Sequence, residues 1–148
     1  MISKLIKTSL RVANSQTWKS ERQLIKPITS AQDLFNLAKV IGVNIDSIRD
    51  INTINGSLPK KGTFIILMRR GSSGVGHWVC VYNNEYFDPF GIGPIQKLKI
   101  DRYSKFQYQG DTFDYCGIYC LLWLYSKQHG EPDLLKGFED LNVEITST

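Results

Sequence analysis

The spacing of apolar residues changes from segment to segment along this chain, and the spacing separates helices from strands. Ile2, Leu5, Ile6 and Leu10 fall at helical intervals with lysines between them. After Pro27, Ser30 is placed to cap a helix that carries Asp33 in its first turn. Leu34, Leu37, Ala38 and Ile41 form that helix's apolar face, and Gly42 is its C-cap. A shorter helix is expected from Asp46, followed by turn and loop through Asn55-Gly56-Ser57-Leu58-Pro59-Lys60-Lys61-Gly62. Thr63-Phe64-Ile65-Ile66-Leu67-Met68 is a short apolar run between Gly62 and Arg69-Arg70, which predicts a buried central strand.

The next two runs, His77-Trp78-Val79-Cys80-Val81-Tyr82 and Glu85-Tyr86-Phe87-Asp88, flank Asn83-Asn84. Asparagine tolerates the positive φ angles of a two-residue turn, so the pattern predicts a hairpin. If Tyr82 pairs with Glu85, then Val81 faces Tyr86, Cys80 faces Phe87 and Val79 faces Asp88. Strand side chains alternate between faces, which puts Asp88 diagonally across from His77 on one face, within reach of a hydrogen bond. A turn one residue longer would destroy this register.

Beyond Gly91 the pattern is mixed, and Ile95, Leu98 and Ile100 suggest one more short strand. Residues 116 to 127 are apolar nearly all round, as in a central helix covered on most sides. Glu131-Pro132-Asp133 then starts a short helix with Leu134, Leu135, Phe138 and Leu141 on its inner face. At 148 residues the chain suits one domain, a length that buries ~70% of the surface the unfolded chain exposes.

Charge divides the chain into a basic N-terminal arm, residues 1 to 26, and a core, residues 27 to 148. Lys4, Lys7, Arg11, Lys19, Arg22 and Lys26 against Glu21 give the arm +5 of the net +4, leaving the rest near neutral. Such an arm can contact the phosphates of a nucleic acid, with Lys4, Lys7 and Arg11 as the candidate residues. The alternative, a solvated face of an amphipathic helix, is the simpler reading of the same spacing. No window approaches the ~18 uninterrupted apolar residues of a membrane span, and the N-terminus has no apolar core of signal-peptide length. Three cysteines, Cys80, Cys116 and Cys120, cannot all pair with one another, which points to a reducing compartment and a soluble intracellular protein.

Cys116 opens the apolar helix, where unpaired N–H groups and the helix dipole are expected to lower the thiol pKa from ~8.5. With His77 and Asp88 it supplies the parts of a thiol protease triad: nucleophile, general base and acid, and a group to orient the base. Gln109 can aim its amide at the oxyanion beside the Cys116 N–H, and Gly117 leaves room for substrate. A buried cysteine ordinarily behaves as a small hydrophobe, which is the reading kept for Cys80 and, as packing, for Cys120. His129 follows the helix, where a solvated helix end is expected. The glycines of residues 71 to 76 lack the Gly-Lys-Ser/Thr of a phosphate-binding loop. Cys-x-x-x-Cys has no second ligand pair for zinc, so neither a metal nor a cofactor is expected.

The order His, Asp, Gln, Cys is carried by Gly76-His77-Trp78-Val79, Phe87-Asp88-Pro89-Phe90-Gly91, Gln109-Gly110 and Cys116-Gly117-Ile118-Tyr119-Cys120. Over roughly residues 58 to 128 it resembles the adenain-type cysteine proteases: the adenovirus maturation protease, related enzymes of polinton-like viruses and virophages and, more distantly, the SUMO proteases. The resemblance implies a triad of Cys116, His77 and Asp88, with Gln109 in the oxyanion hole. Trp78 would border a cleft that favours small residues, commonly glycine, at the cleaved bond. The implied fold is α+β, with a central helix bearing Cys116 packed on a mixed sheet that bears His77 and Asp88, and with flanking helices.

The implied activity is cleavage of capsid and core precursors during virion maturation, by a monomer in the host cytoplasm or nucleus and in the virion. A peptide or DNA activator is used by adenoviral members. The interval from His77 to Asp88 is shorter than in the family, and Asp88 stands where adenoviral members tend to have Glu and SUMO proteases have Asp. Two other readings stay open: a protease acting on SUMO or ubiquitin-like proteins after Gly-Gly, and a non-enzymatic nucleic-acid- or capsid-binding protein with a protease fold.

Overall fold

The computed structural model describes residues 30 to 69, 76 to 103 and 116 to 130. The basic arm, most of the glycine loop, Gln109 and the helix expected after Glu131 lie outside the described residues. The described part is a small α+β fold: helix α1 (Ala31–Ile41), strands β1 (Ser47–Asp50), β2 (Thr63–Met68), β3 (His77–Tyr82), β4 (Glu85–Phe87) and β5 (Arg102–Tyr103), and helix α2 (Cys116–His129). The strands form one mixed sheet in the order β1-β2-β3-β4-β5. The two outer pairings are parallel and the two inner ones antiparallel.

Helix α1 begins and ends where its sequence says. The Ser30 hydroxyl accepts from the Asp33 N–H at 3.1 Å, while the Asp33 carboxylate accepts from the Ser30 N–H at 3.3 Å. Such a reciprocal cap contributes about 1 kcal/mol. Gly42, at φ 83°, closes the helix in the left-handed conformation that costs glycine nothing.

Both faces of the sheet are covered. Ile65, Trp78, Cys80 and Phe87 face the helices, together with the buried sides of α1 and α2. Phe64, Ile66, Val79, Val81 and Tyr86 face the other way, beneath Ile51, Ile54, Leu58, Leu98 and Ile100 from the connections. Double coverage explains why β2 reads as a continuous apolar run rather than an alternating one.

Two expected elements take other forms. The segment from Asp46 is not a helix but β1 followed by a 3-10 turn, Ile51–Thr53. Asp46 fixes it to β2: its N–H donates to the Thr63 carbonyl at 2.9 Å, and its carboxylate accepts from the Thr63 N–H at 2.8 Å. Ile48 packs on the helix side and Ile51 and Ile54 on the far side, so the chain crosses the sheet edge where a helix would have kept all three on one face. The strand expected over Ile95, Leu98 and Ile100 is instead a 3-10 turn, Gln96–Leu98, ended by Lys99 at φ 53°. That left-handed residue breaks any extended run, and strand pairing resumes only at β5.

Helix α2 is buried from Cys116 through Leu124 and again at Ser126, in line with its nearly uniform apolar character. Side chains in its C-terminal half tie it to the sheet and to α1. The Trp123 ring stacks on Phe87 at 5.0 Å between centroids. Lys127 pairs with Glu85 at 2.9 Å. The Gln128 amide bonds the Asn44 backbone in both directions, accepting at 2.9 Å and donating at 2.7 Å. His129 is not simply solvated: it stacks on Tyr125, and its Nε2 lies 2.9 Å from the Gly42 carbonyl, tying the end of α2 to the end of α1.

Candidate active site

The hairpin places the first pair of groups. Asn83 and Asn84 have φ 47° and 66°, the two positive values of a two-residue turn. The register is Tyr82↔Glu85, Val81↔Tyr86 and Cys80↔Phe87, as the sequence predicts. Asp88 leaves the end of β4, and its Oδ2 lies 3.2 Å from His77 Nε2. The carboxylate is 2% exposed, while the imidazole side chain keeps 21%. The His77–Asp88 pair is therefore formed.

A turn fixes the carboxylate further. Asp88-Pro89-Phe90-Gly91 closes with the Gly91 N–H donating to the Asp88 carbonyl at 2.8 Å, and Gly91 sits at φ 75°. Proline second and glycine fourth suit this turn. Within it the Phe90 N–H donates to Asp88 Oδ1 at 2.9 Å, so each carboxylate oxygen has its own task. The same turn sets the Phe90 ring edge-on to the His77 imidazole, 5.7 Å between centroids. Sequence reasoning did not assign this role to Phe90, although the Asp-Pro-x-Gly pattern carries its signal.

Cys116 reaches the same end of β3 from the helix. Its Sγ accepts from the Trp78 N–H at 3.1 Å, at the residue that follows His77. The last residue pair of the β3–β4 ladder is Cys80↔Phe87, so Trp78 lies past the ladder's end and its N–H goes to the sulfur rather than to a strand. Gly76, just before His77, runs close to β2: a Cβ there would lie 2.8 Å from the Met68 carbonyl oxygen, so only glycine fits without a shift.

Trp78 is 8% exposed, packs in the helix-facing core and meets the site through its backbone N–H. One expectation needs correction: the Cys116 thiol is not lowered by its helix start. Burial pushes it up from its ordinary 9.0 to about 11, with the Asp88 charge adding to the rise, while the N–H groups of Trp78, Gly117 and Cys116 itself pull the other way. Burial wins because a thiolate only 4% exposed forfeits nearly all its hydration.

The resting thiol is thus protonated at neutral pH, and the pH dependence follows. Alkylation of Cys116 by iodoacetamide, read by peptide mass spectrometry, is expected to accelerate about tenfold per pH unit between pH 7 and 9.5. A plateau reached below pH 8 would show a thiolate already present at rest. The folded-state value is raised, so the stabilisation from burying the neutral thiol is complete below about 9 and fades as pH rises through about 11.

Gly117 is buried in the first turn of α2, where its N–H bonds the Cys116 sulfur. Cys80 and Cys120 are fully buried, and none of the three cysteines is in a disulfide. Gln109, Lys4, Lys7 and Arg11 lie outside the described residues. Among the described residues no three His, Cys, Asp or Glu side chains converge as a metal ion would require, and no helix is long and apolar enough to cross a membrane. Compared with family models, with curated proteins and with solved structures, the chain matches none.

Proposed function

We propose that this chain is a thiol endopeptidase of the adenain type, with Cys116 as nucleophile, His77 as general base and acid, and Asp88 as the group that orients the imidazole. The observation that carries the proposal is the meeting, at one end of β3, of the His77–Asp88 pair at 3.2 Å and the Cys116 sulfur on the adjoining Trp78 N–H at 3.1 Å. Support also comes from the order of the motif residues along the chain.

The chemistry runs as general-base catalysis from a neutral thiol, because burial holds the proton on sulfur. His77 donates Nε2–H to Asp88, which makes Nδ1 the nitrogen that takes the thiol proton as sulfur attacks the carbonyl carbon. The carbonyl oxygen becomes an oxyanion, met by the Cys116 N–H at the helix start and by the Gln109 amide. The imidazolium then returns its proton to the leaving amine as the C–N bond breaks. Water, activated by the same imidazole, hydrolyses the thioester and frees the thiol.

The proposed substrates are viral structural precursors, cut beside small residues such as glycine. The test is mass spectrometry of the products formed from a mixture of unstructured peptides, with Cys116→Ala protein as control. New termini at glycine, absent with the control, are expected. Cleavage confined to a ubiquitin-like precursor after its Gly-Gly would move the enzyme to the deconjugating class. No cleavage by well-folded protein, or equal cleavage by the control, would remove the proposal.

A further inference from the structure

Trp78 is the residue at which β3 passes beyond its neighbour β4, and in an antiparallel ladder the N–H and C=O of one residue point to the same side. Neither group can pair with β4 where β4 has ended, and buried backbone groups are seldom left without a hydrogen bond. Helix α2 meets them with two thiols one turn apart, which therefore share a face. The Trp78 N–H donates to Cys116 Sγ at 3.1 Å, and the Trp78 carbonyl accepts from the Cys120 thiol at 3.4 Å. The Cys80 thiol, two residues further along β3, donates to the Cys120 carbonyl at 3.8 Å. All three contacts are buried, and together they set the register of the helix against the strand.

We propose that Cys120 is a positioning residue for the nucleophile: by donating to the Trp78 carbonyl it holds the Trp78 N–H on the Cys116 sulfur, where that N–H favours the attacking thiolate. The role rests on Cys116 being the nucleophile of the thiol peptidase proposed above. It assigns a task to a buried thiol that the triad does not use. Packing alone would require only a small side chain at position 120, whereas positioning requires a donor. Among the described residues, Asp88 and Cys120 are titratable groups that act on the Cys116 sulfur, and Cys120 approaches from the helix's own next turn.

Cys120→Ala and Cys120→Ser separate the two roles, because alanine keeps the small size without a donor and serine keeps the donor. The readout is the rate of Cys116 alkylation by iodoacetamide between pH 7 and 9.5, which requires no peptidase activity, alongside the melting temperature of each variant. Alanine is expected to slow Cys116 alkylation about three- to tenfold at every pH in this range, the effect of one hydrogen bond, and serine to restore most of it. An alanine variant with the wild-type profile would overturn the proposal, as would a serine variant as slow as alanine. Failure of peptide cleavage with the alkylation pattern intact would count against the peptidase reading alone.

Discussion

Replacing Cys116 by alanine is expected to lower peptide hydrolysis on the order of 10⁴-fold or more, because the other thiol that meets Trp78, that of Cys120, is fully buried and donates to the Trp78 carbonyl. The fold should survive. Loss of one buried sulfur costs about 1 kcal/mol, a change of a few degrees in melting temperature for a chain of this size. Cys80→Ser is the informative contrast, since Cys80 is fully buried and its thiol bonds the Cys120 carbonyl rather than the site. That variant should retain most activity, as measured by steady-state cleavage of the same peptide. Equal loss in both variants would mean that the nucleophile is misassigned.

Asp88→Asn is the second large effect, expected to lower kcat on the order of 10²- to 10⁴-fold with KM little changed. The geometry gives the cause. The Phe90 N–H holds one oxygen of the side chain, and an asparagine oxygen can still accept that bond, so the turn is kept. The amide NH₂ then faces His77 Nε2. Two donors cannot share that contact, and the imidazole relieves the conflict by moving its proton to Nδ1, the nitrogen that should take the thiol proton. The base is thereby disabled in its resting tautomer. Wild-type turnover by a folded Asp88→Asn protein would show that the carboxylate has no orienting role.

Much of this arrangement is legible in local chemistry. Ser30 and Asp33 mark a helix start because each satisfies the other's backbone, and Asn83-Asn84 fixes the hairpin because both residues tolerate positive φ. Once the turn has two residues, the register follows, and with it the His77–Asp88 contact. What stayed hidden depends on tertiary environment. Isoleucines spaced by three over residues 48 to 54 fit a helix as well as a strand crossing a sheet edge, and only Asp46's bonds to Thr63 decide between them. Lys99 gives no sign in its sequence of a left-handed conformation. The acidity of Cys116 could not be read from its place at a helix start, since that place favours the thiolate while burial opposes it more strongly. The bonds from Cys116 and Cys120 to Trp78 require knowing where β4 ends relative to β3.

That Cys116 acts as a nucleophile served by the His77–Asp88 pair is tested most directly by a peptide vinyl sulfone carrying glycine at the position of attack. The protein would be incubated with this electrophile at neutral pH and digested, and the modified cysteine located by mass spectrometry. One equivalent should add to Cys116 alone, with the rate at least tenfold lower in His77→Ala and in Asp88→Asn, since only a positioned base activates a thiol that burial keeps protonated. Addition spread over Cys80 and Cys120, or addition to Cys116 at an unchanged rate in both variants, would contradict it.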